Sequence, residues 1–459
     1  TLYNFNASNQ LASIVDRNAN TITLTYAGTK LDSVTDTVGR SIAFIHDSND
    51  HITQVTEAAG SLGRTLHFTY DLNKNLLTAK DPNGNVTSYT YDSNHQMLTV
   101  IDPRSNVVVS NAFNTLLQVD YQFDADGTKT SYAYDEPNHK TTVVSDVGGI
   151  NATSTFYYDT QLRLTQETDA NGDSIFYTYD AAGNRIQVRD KSGNVTQYAY
   201  DTNGSVVSQT DALLNQTTIQ YDSLNNPTRR VDALGNPTTF AYNSQGNLTA
   251  TTNALSFLTQ VTYDAFGQSL ILTDANGNST TNYWDSHGNL ISIAGPLGLT
   301  NQFFYDAAGR KVMQIDASGH TNRFNWDKNG NLTNTVDGLG FNNYFLFDSN
   351  NNRFAVIDSR VAVTTNLFDG KDRIVAIRDP LGNVISNRYD RLDRNIEAID
   401  ARLNPKQFRY GPNGNLLSVT DAMAKVTGFT YDKNHNLITV SNAVGQIRTN
   451  FYDALNRLI

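Results

Sequence analysis

Short runs in which Thr and aromatic or aliphatic residues alternate with period two recur along the whole chain, as in Thr87–Tyr91, Thr196–Tyr200 and Thr427–Tyr431. Polar stretches rich in Asp, Asn and Gly separate them. Alternation with β-branched and aromatic side chains predicts strands, and the polar stretches predict turns. No stretch of useful length carries the helical period.

The strands are spaced by a repeat. From Tyr158 to Tyr452 an aromatic returns every 21 positions: Tyr158, Tyr179, Tyr200, Tyr221, Tyr242, Tyr263, Trp284, Tyr305, Trp326, Phe347, Phe368, Tyr389, Tyr410, Tyr431 and Tyr452. Asp follows all of them except Tyr242 and Tyr410, and Gly, Asn or Asp stands four positions after most, as at Gly183, Gly309 and Asn351. Asp opening such a segment and Gly closing it fits a type I turn followed by a left-handed residue. A second D-x-x-G follows half a repeat later, as at Asp190–Gly193 and Asp274–Gly277. Each unit is therefore expected to hold two turns and two strands of about six or seven residues, a β-hairpin with loops of the three- to four-residue class.

Before Tyr158 the aromatics run through Tyr3, Tyr26, His46, Tyr70, Tyr91, Phe113 and Tyr134 with irregular steps of 20 to 24 residues. Residues 1–157 read as irregular repeats and residues 158–459 as regular ones, in one continuous architecture that looks cut from a longer array. Extra residues in a hairpin array have nowhere to go but bulges or protruding loops, which are expected between Asp102 and Tyr158.

Composition narrows the function. Apolar residues make up 39% and charged residues 17% of the 459, the balance being Asn, Thr, Ser and Gln, which argues against a thick conventional core. A net charge of −11 without clustered Lys and Arg disfavours a nucleic-acid partner. With zero Cys there is no disulfide, thiolate metal site or thiol chemistry. No apolar run is long enough for a membrane-spanning helix.

The text Y-D-A-A-G-N-R-I at Tyr179–Ile186, Y-D-A-A-G-R-K-V at Tyr305–Val312 and Y-D-A-F-G-Q-S-L at Tyr263–Leu270 closely resembles the YD repeats of the rearrangement hot spot (Rhs) family. That family includes bacterial polymorphic toxins, insecticidal toxin complexes and teneurins. The resemblance covers essentially the whole chain. It implies an all-β fold, a long antiparallel hairpin array spiralling into a hollow shell or barrel, in a secreted or cell-surface protein. A twisted sheet of this many strands is also expected to roll up on physical grounds. No functional residue carries over, because the matching Tyr and Asp build the fold.

Candidate chemistry is thin. Carboxylate groups such as Asp120, Asp124 and Asp126, or Asp369 and Asp372, have the composition of a glycosidase pair, yet Asp recurs there because turns favour it. Asp81–Asn85, Asp169–Asp173 and Asp274–Asn278 look like calcium loops but lack the Gly and Glu placement of an EF-hand. The histidines, His46, His51 and His287 among them, show no paired metal spacing. Trp284 and Trp326 replace the repeat Tyr; exposed, they would stack on sugars, whereas their shared strand-end position favours packing in the aromatic ladder. The reading is a non-catalytic, monomeric shell or scaffold without cofactor or metal that encloses or displays another polypeptide, such as a toxin. The alternative is a module binding cell-surface glycans, and the third reading is a glycoside hydrolase.

Overall fold

The computed structural model describes residues 1–57, 63–146 and 151–459. Its 43 strands, from Leu2–Phe5 to Ile447–Thr449, form one sheet in which each strand pairs antiparallel with its neighbours in sequence. The only helical element among the described residues is a 3₁₀ turn at Glu136–Asn138.

In the regular repeats a six-residue strand ending on the aromatic alternates with a five-residue strand, as in Ser174–Tyr179 and Arg185–Arg189, slightly shorter than expected. The loop between them shows why the repeat needs its residues. The Asp180 N–H donates to Asn184 O (2.9 Å) and Gly183 N–H donates to Asp180 O (3.1 Å). Gly183 takes φ 93°, where an L side chain is strained. The Asp180 carboxylate accepts from the Asn184 backbone (2.8 Å) and side chain (2.9 Å), so the turn satisfies itself.

The aromatic has an equally local task. At each strand end the register slips, as where Thr178↔Gln187 gives way to Tyr179↔Arg185. The strands splay there, and strand-start residues such as Leu164 lie beyond the last paired residues of the next ladder, Gln166↔Phe176. The Tyr179 hydroxyl donates to Leu164 O (2.9 Å), and Tyr200, Tyr221, Tyr242, Tyr263 and Tyr305 repeat the bond fifteen residues back at 2.7–3.0 Å. A backbone carbonyl at a splayed edge is thereby satisfied. Phe368 has no hydroxyl, and in its repeat Asn366 Nδ2 donates to Arg353 O instead (2.9 Å).

Two details depart from the sequence reading. The first strand-end aromatic is Phe5 rather than Tyr3, because the slip falls between Asn4 and Phe5; this restores a 21-residue step to Tyr26. Between Asp102 and Tyr158 the one-residue excess is taken up by a bulge, where Val100↔Val109 passes to Ile101↔Val107. The three-residue excess instead goes into the 3₁₀ turn and into longer strands at Lys140–Asp146 and Asn151–Tyr158, which pair without any slip. Adding whole residues to both partners lengthens a ladder without bending it. Residues 147–150 of that span lie outside the described residues.

There is almost no core. Among the described residues Ala355 is the one buried apolar side chain. The sheet is a single layer wound into a spiral, and its successive windings meet edge to edge.

Candidate functional site: the winding seam, the aromatic face and the rims

Each hairpin contributes two turns, one at each edge of the ribbon: the turn after the aromatic, and the half-repeat turn. The spiral stacks the half-repeat turns of the first winding on the aromatic-side turns of the second. Most hydrogen bonds across this seam join residues 242–248 positions apart, widening to 263–265 at Arg104 and Thr128 and narrowing to 207–229 near Arg17 and Asn18. One winding thus takes about twelve repeats of 21 residues.

The seam changes chemistry along its length. At its start neutral acceptors carry it: Arg17 Nη2 donates to Leu224 O (3.0 Å), Asn18 and Asn247 exchange bonds (3.2 and 2.7 Å), and Asn20 Nδ2 donates to Phe266 O (2.9 Å). Next comes a cleft of about 360 Å³ lined by Asp16, Arg40, Phe266 and His287. Farther on, Asn83 Nδ2 donates to Asp327 (2.9 Å) while Asn329 Nδ2 donates back to Asp81 (2.7 Å).

Beyond that point ion pairs dominate. Arg104 meets Asp372 (2.7 Å), Lys371 meets Asp124 (2.8 Å) and Asp393 (2.5 Å), and Arg373 meets Asp126 (2.5 Å) and Asp369 (2.6 Å). Lys191 pairs with Asp169 and contacts His435 Nε2 (2.7 Å). Asp102 and Thr128, both buried, sit in the same line. Burial raises the pKa of Asp102, Asp124, Asp169, Asp327 and Asp369, but side-chain and backbone hydrogen bonds, led by those from Asn106, Lys371, Lys191, Asn331 and Arg373 respectively, together outweigh it, and all five carboxyls lie below their ordinary value. Burial lowers the Lys371 ammonium, yet bonds to Asp124 and Asp393 hold it above its ordinary value.

These contacts place the carboxylates that the sequence singled out. Asp124, Asp126, Asp369 and Asp372 do converge, but on Lys371, Arg373 and Arg104 as structural ties. Asp120 takes no part in them. In the calcium-like segments the leading carboxylate bonds its own turn, as Asp274 does with Asn276 N (2.9 Å) and Asn278 N (2.9 Å). Among the described residues no group of three His, Asp or Glu forms a metal-binding cluster. His51 bonds Asp47 (3.0 Å) and stacks on Tyr70 at 4.5 Å, while His287 faces the cleft.

Trp284 and Trp326 sit in the aromatic ladder. Their indole N–H groups donate to Ser269 O (3.0 Å) and Lys311 O (2.9 Å), the place that the Tyr hydroxyl takes elsewhere. Both are half-buried. A feature that sequence reasoning missed is the Arg four residues after the repeat Asp. Arg163, Arg373 and Arg394 each grip that Asp, reach the carbonyl that follows the next aromatic and stack 4.8–5.0 Å above that aromatic. The text Y/F-D-x-x-x-R carries the signal, but only adjacent hairpins reveal the target.

The ribbon's two faces differ. In Val195–Tyr200, half-buried Tyr198 and Tyr200 alternate with exposed Gln197 and Ala199, and the last three positions keep this alternation in most repeats. The edges differ too, as the bare half-repeat rim of the second winding carries a row of exposed apolar tips.

Comparison with known proteins agrees with this geometry. The teneurin YD-shell family model matches residues 129–324 and the RHS repeat model matches residues 70–107 and 410–447. No curated protein matches the chain by sequence. The crystal structure of TcdB2-TccC3 covers 100% of the chain at 12% identity with a TM-score of 0.74, and the same assembly without its hypervariable C-terminal region covers 96% at 14% identity and 0.71. The Photorhabdus luminescens Tc holotoxin pore covers 96% at 14% identity and 0.69. The chain spans 33%, 27% and 27% of those chains, so the likeness is one of fold over about a third of their length. YD-shell and RHS repeat models thus match three stretches of the chain, and its fold along the whole length is similar to that of the Tc toxin structures.

Proposed function

We propose that this chain is a non-catalytic wall segment of a secreted or cell-surface bacterial protein, and that its hollow encloses another polypeptide, such as a toxin. The observation that carries this reading is a single-layer sheet in which one of the described apolar residues is buried, wound edge on edge about an axis that none of the described residues fills. A winding of about 23 strands at ~4.8 Å gives a circumference of roughly 110 Å and a backbone-to-backbone width of about 35 Å. Side chains on a concave face crowd together while those on a convex face splay, so the half-buried aromatic face is assigned to the inside. With that lining the clear bore is on the order of 20 Å, too narrow for a folded 100-residue domain with a radius of gyration of ~13 Å but wide enough for an extended chain. The likeness to Tc toxin structures supports the same role.

The test is protection. An unfolded, protease-sensitive polypeptide appended after Ile459 should be digested far more slowly than the same polypeptide alone. Digestion at equal rates overturns containment. Because the chain has no Cys, single Cys substitutions at Tyr198 and Gln197 check the assignment of faces. Bulky maleimides should label position 197 and be retarded at position 198.

A further inference from the structure

Val38 breaks the polar line of the seam. Asn18 and Asn83 hold the same tip position in half-repeat turns before and after it, and both bond the next winding. Val38 has no polar side-chain atom to offer. Among the described residues no hydrogen bond crosses the seam at Asp36–Arg40, whose bonds all stay on the first winding. The cleft of about 360 Å³ opens there, walled by two turns of the first winding on one side and by Phe266, Gln268 and His287 of the second on the other. Its volume falls within the range of small-ligand sites. The carboxylates that line it are spent, since Asp16, Asp36 and Asp285 each accept two backbone N–H groups and one side-chain donor of their own turns. Burial raises their pKa and these bonds outweigh it, so all three are ionised at neutral pH. The unspent groups are mainly donors. Arg40 binds Asp36 through Nε (2.6 Å), and among the described residues its Nη groups, the Gln268 amide and His287 Nε2 have no partner. Beside them the Phe266 ring stands half exposed, on a turn whose carbonyl accepts from Asn20 (2.9 Å).

We propose that this cleft binds a neutral disaccharide, seated across the two windings. The fixed carboxylates repel an anion, and the one unspent charge, on Arg40, repels a cation. Sugar hydroxyls both donate and accept, so adjacent hydroxyls can take the paired Arg40 N–H groups while others exchange bonds with Gln268 and His287. The C–H face of a sugar ring lies on the Phe266 ring, which offers an apolar surface beside these polar groups. The site is separate from Trp284 and Trp326, whose indoles pack in the aromatic ladder. It needs both windings, because Arg40 belongs to the first and Phe266, Gln268 and His287 to the second. It does not depend on what the hollow holds.

Calorimetric titration of the full chain with maltose, cellobiose, lactose and N,N′-diacetylchitobiose tests the proposal, with digalacturonate as the anionic control. At least one of the neutral disaccharides should bind with a Kd of about 1 mM or tighter, and digalacturonate about tenfold more weakly or not at all. Phe266→Ala and Arg40→Asn should each weaken binding by about tenfold or more with an unchanged thermal unfolding curve. Ala already holds the turn tip at Ala308, and Asn holds the place of Arg40 at Asn20 and Asn85, where it bonds the turn Asp, so both turns keep their ties. Trp326→Phe should leave binding unchanged, as Phe fills that ladder position at Phe347 and Phe368. No binding of any neutral disaccharide at about 10 mM, equal binding of digalacturonate, undiminished binding by Phe266→Ala and Arg40→Asn, or an equal loss in Trp326→Phe overturns the proposal.

Discussion

Two turns of this chain differ by one residue and live in different surroundings. Asp81–Asn85 reads D-P-N-G-N and Asp379–Asn383 reads D-P-L-G-N. Their glycines share the left-handed region at φ 99° and 85°. Yet Asn83 hydrogen-bonds Asp327 and Asn329 of the next winding, whereas Leu381 stands 88% exposed on the rim. The backbone of a turn is decided by its Asp and Gly, which leaves its tip residue free to differ. Docked and bare rims can thus be compared within one molecule.

Acid should separate the two rims most. The folded pKa values of Asp102, Asp124, Asp169, Asp327 and Asp369 are depressed, so their contribution is fully present above the unfolded value near 3.9 and is lost as pH falls through the lower folded values. Bare-rim carboxylates such as Asp274 and Asp379 are also held low, first by Asn278 and Asn383, but they tie no second winding. Small-angle scattering should show the spiral lengthening below about pH 3.5 while far-UV dichroism still reports strands. Simultaneous loss of both signals would contradict separate seam opening.

Arginine removal should distinguish the rims next. Arg373→Ala strands Asp126 and Asp369 in a poorly solvated seam, while Asp393 keeps Lys371, and should cost about 3 kcal/mol in urea unfolding. Arg360→Ala removes a pair with Asp358 whose Arg is 85% exposed, and should change stability by less than about 0.5 kcal/mol. Equal effects would mean that the seam is solvated.

A glycine pair isolates close approach. Gly267 and Gly277 have nearly the same φ, 81° and 84°. A Cβ on Gly267 would fall 2.5 Å from Asn18 Nδ2, while one on Gly277 meets nothing within 4 Å. Gly277→Ala should therefore cost about 1 kcal/mol from backbone strain alone. Gly267→Ala should cost about 2 kcal/mol, with faster amide exchange at Arg17–Asn20.

The smallest effect should come from exchanging the tips. Asn83→Leu removes the side-chain bond to Asp327, while the backbone N–H of residue 83 still reaches Asn329, and should lower stability by about 1 kcal/mol. Leu381→Asn should leave the stability of a single chain within about 0.5 kcal/mol. If Asn83→Leu stabilises the chain, the polarity of the docked rim is not what holds it.

The sequence by itself determined the hairpin, its turns, the array and the all-β class, because each depends on contacts within about twenty residues. Asp180 reaches Asn184, and Tyr179 reaches Leu164. The order of strands followed as well, since each pairs with its neighbour. The first aromatic was misassigned to Tyr3 because a register slip is invisible without the partner strand, and the excess before Tyr158 divides between ladder and turn in a way that spacing does not encode. Only the tertiary structure decided the winding. Its length is the sum of small twists over about 23 strands, so a slight change per strand shifts the seam by whole repeats. That sum brings Lys371 to Asp124 across 247 residues, converts candidate carboxylate pairs into ties between windings and separates the polar rim from the apolar one.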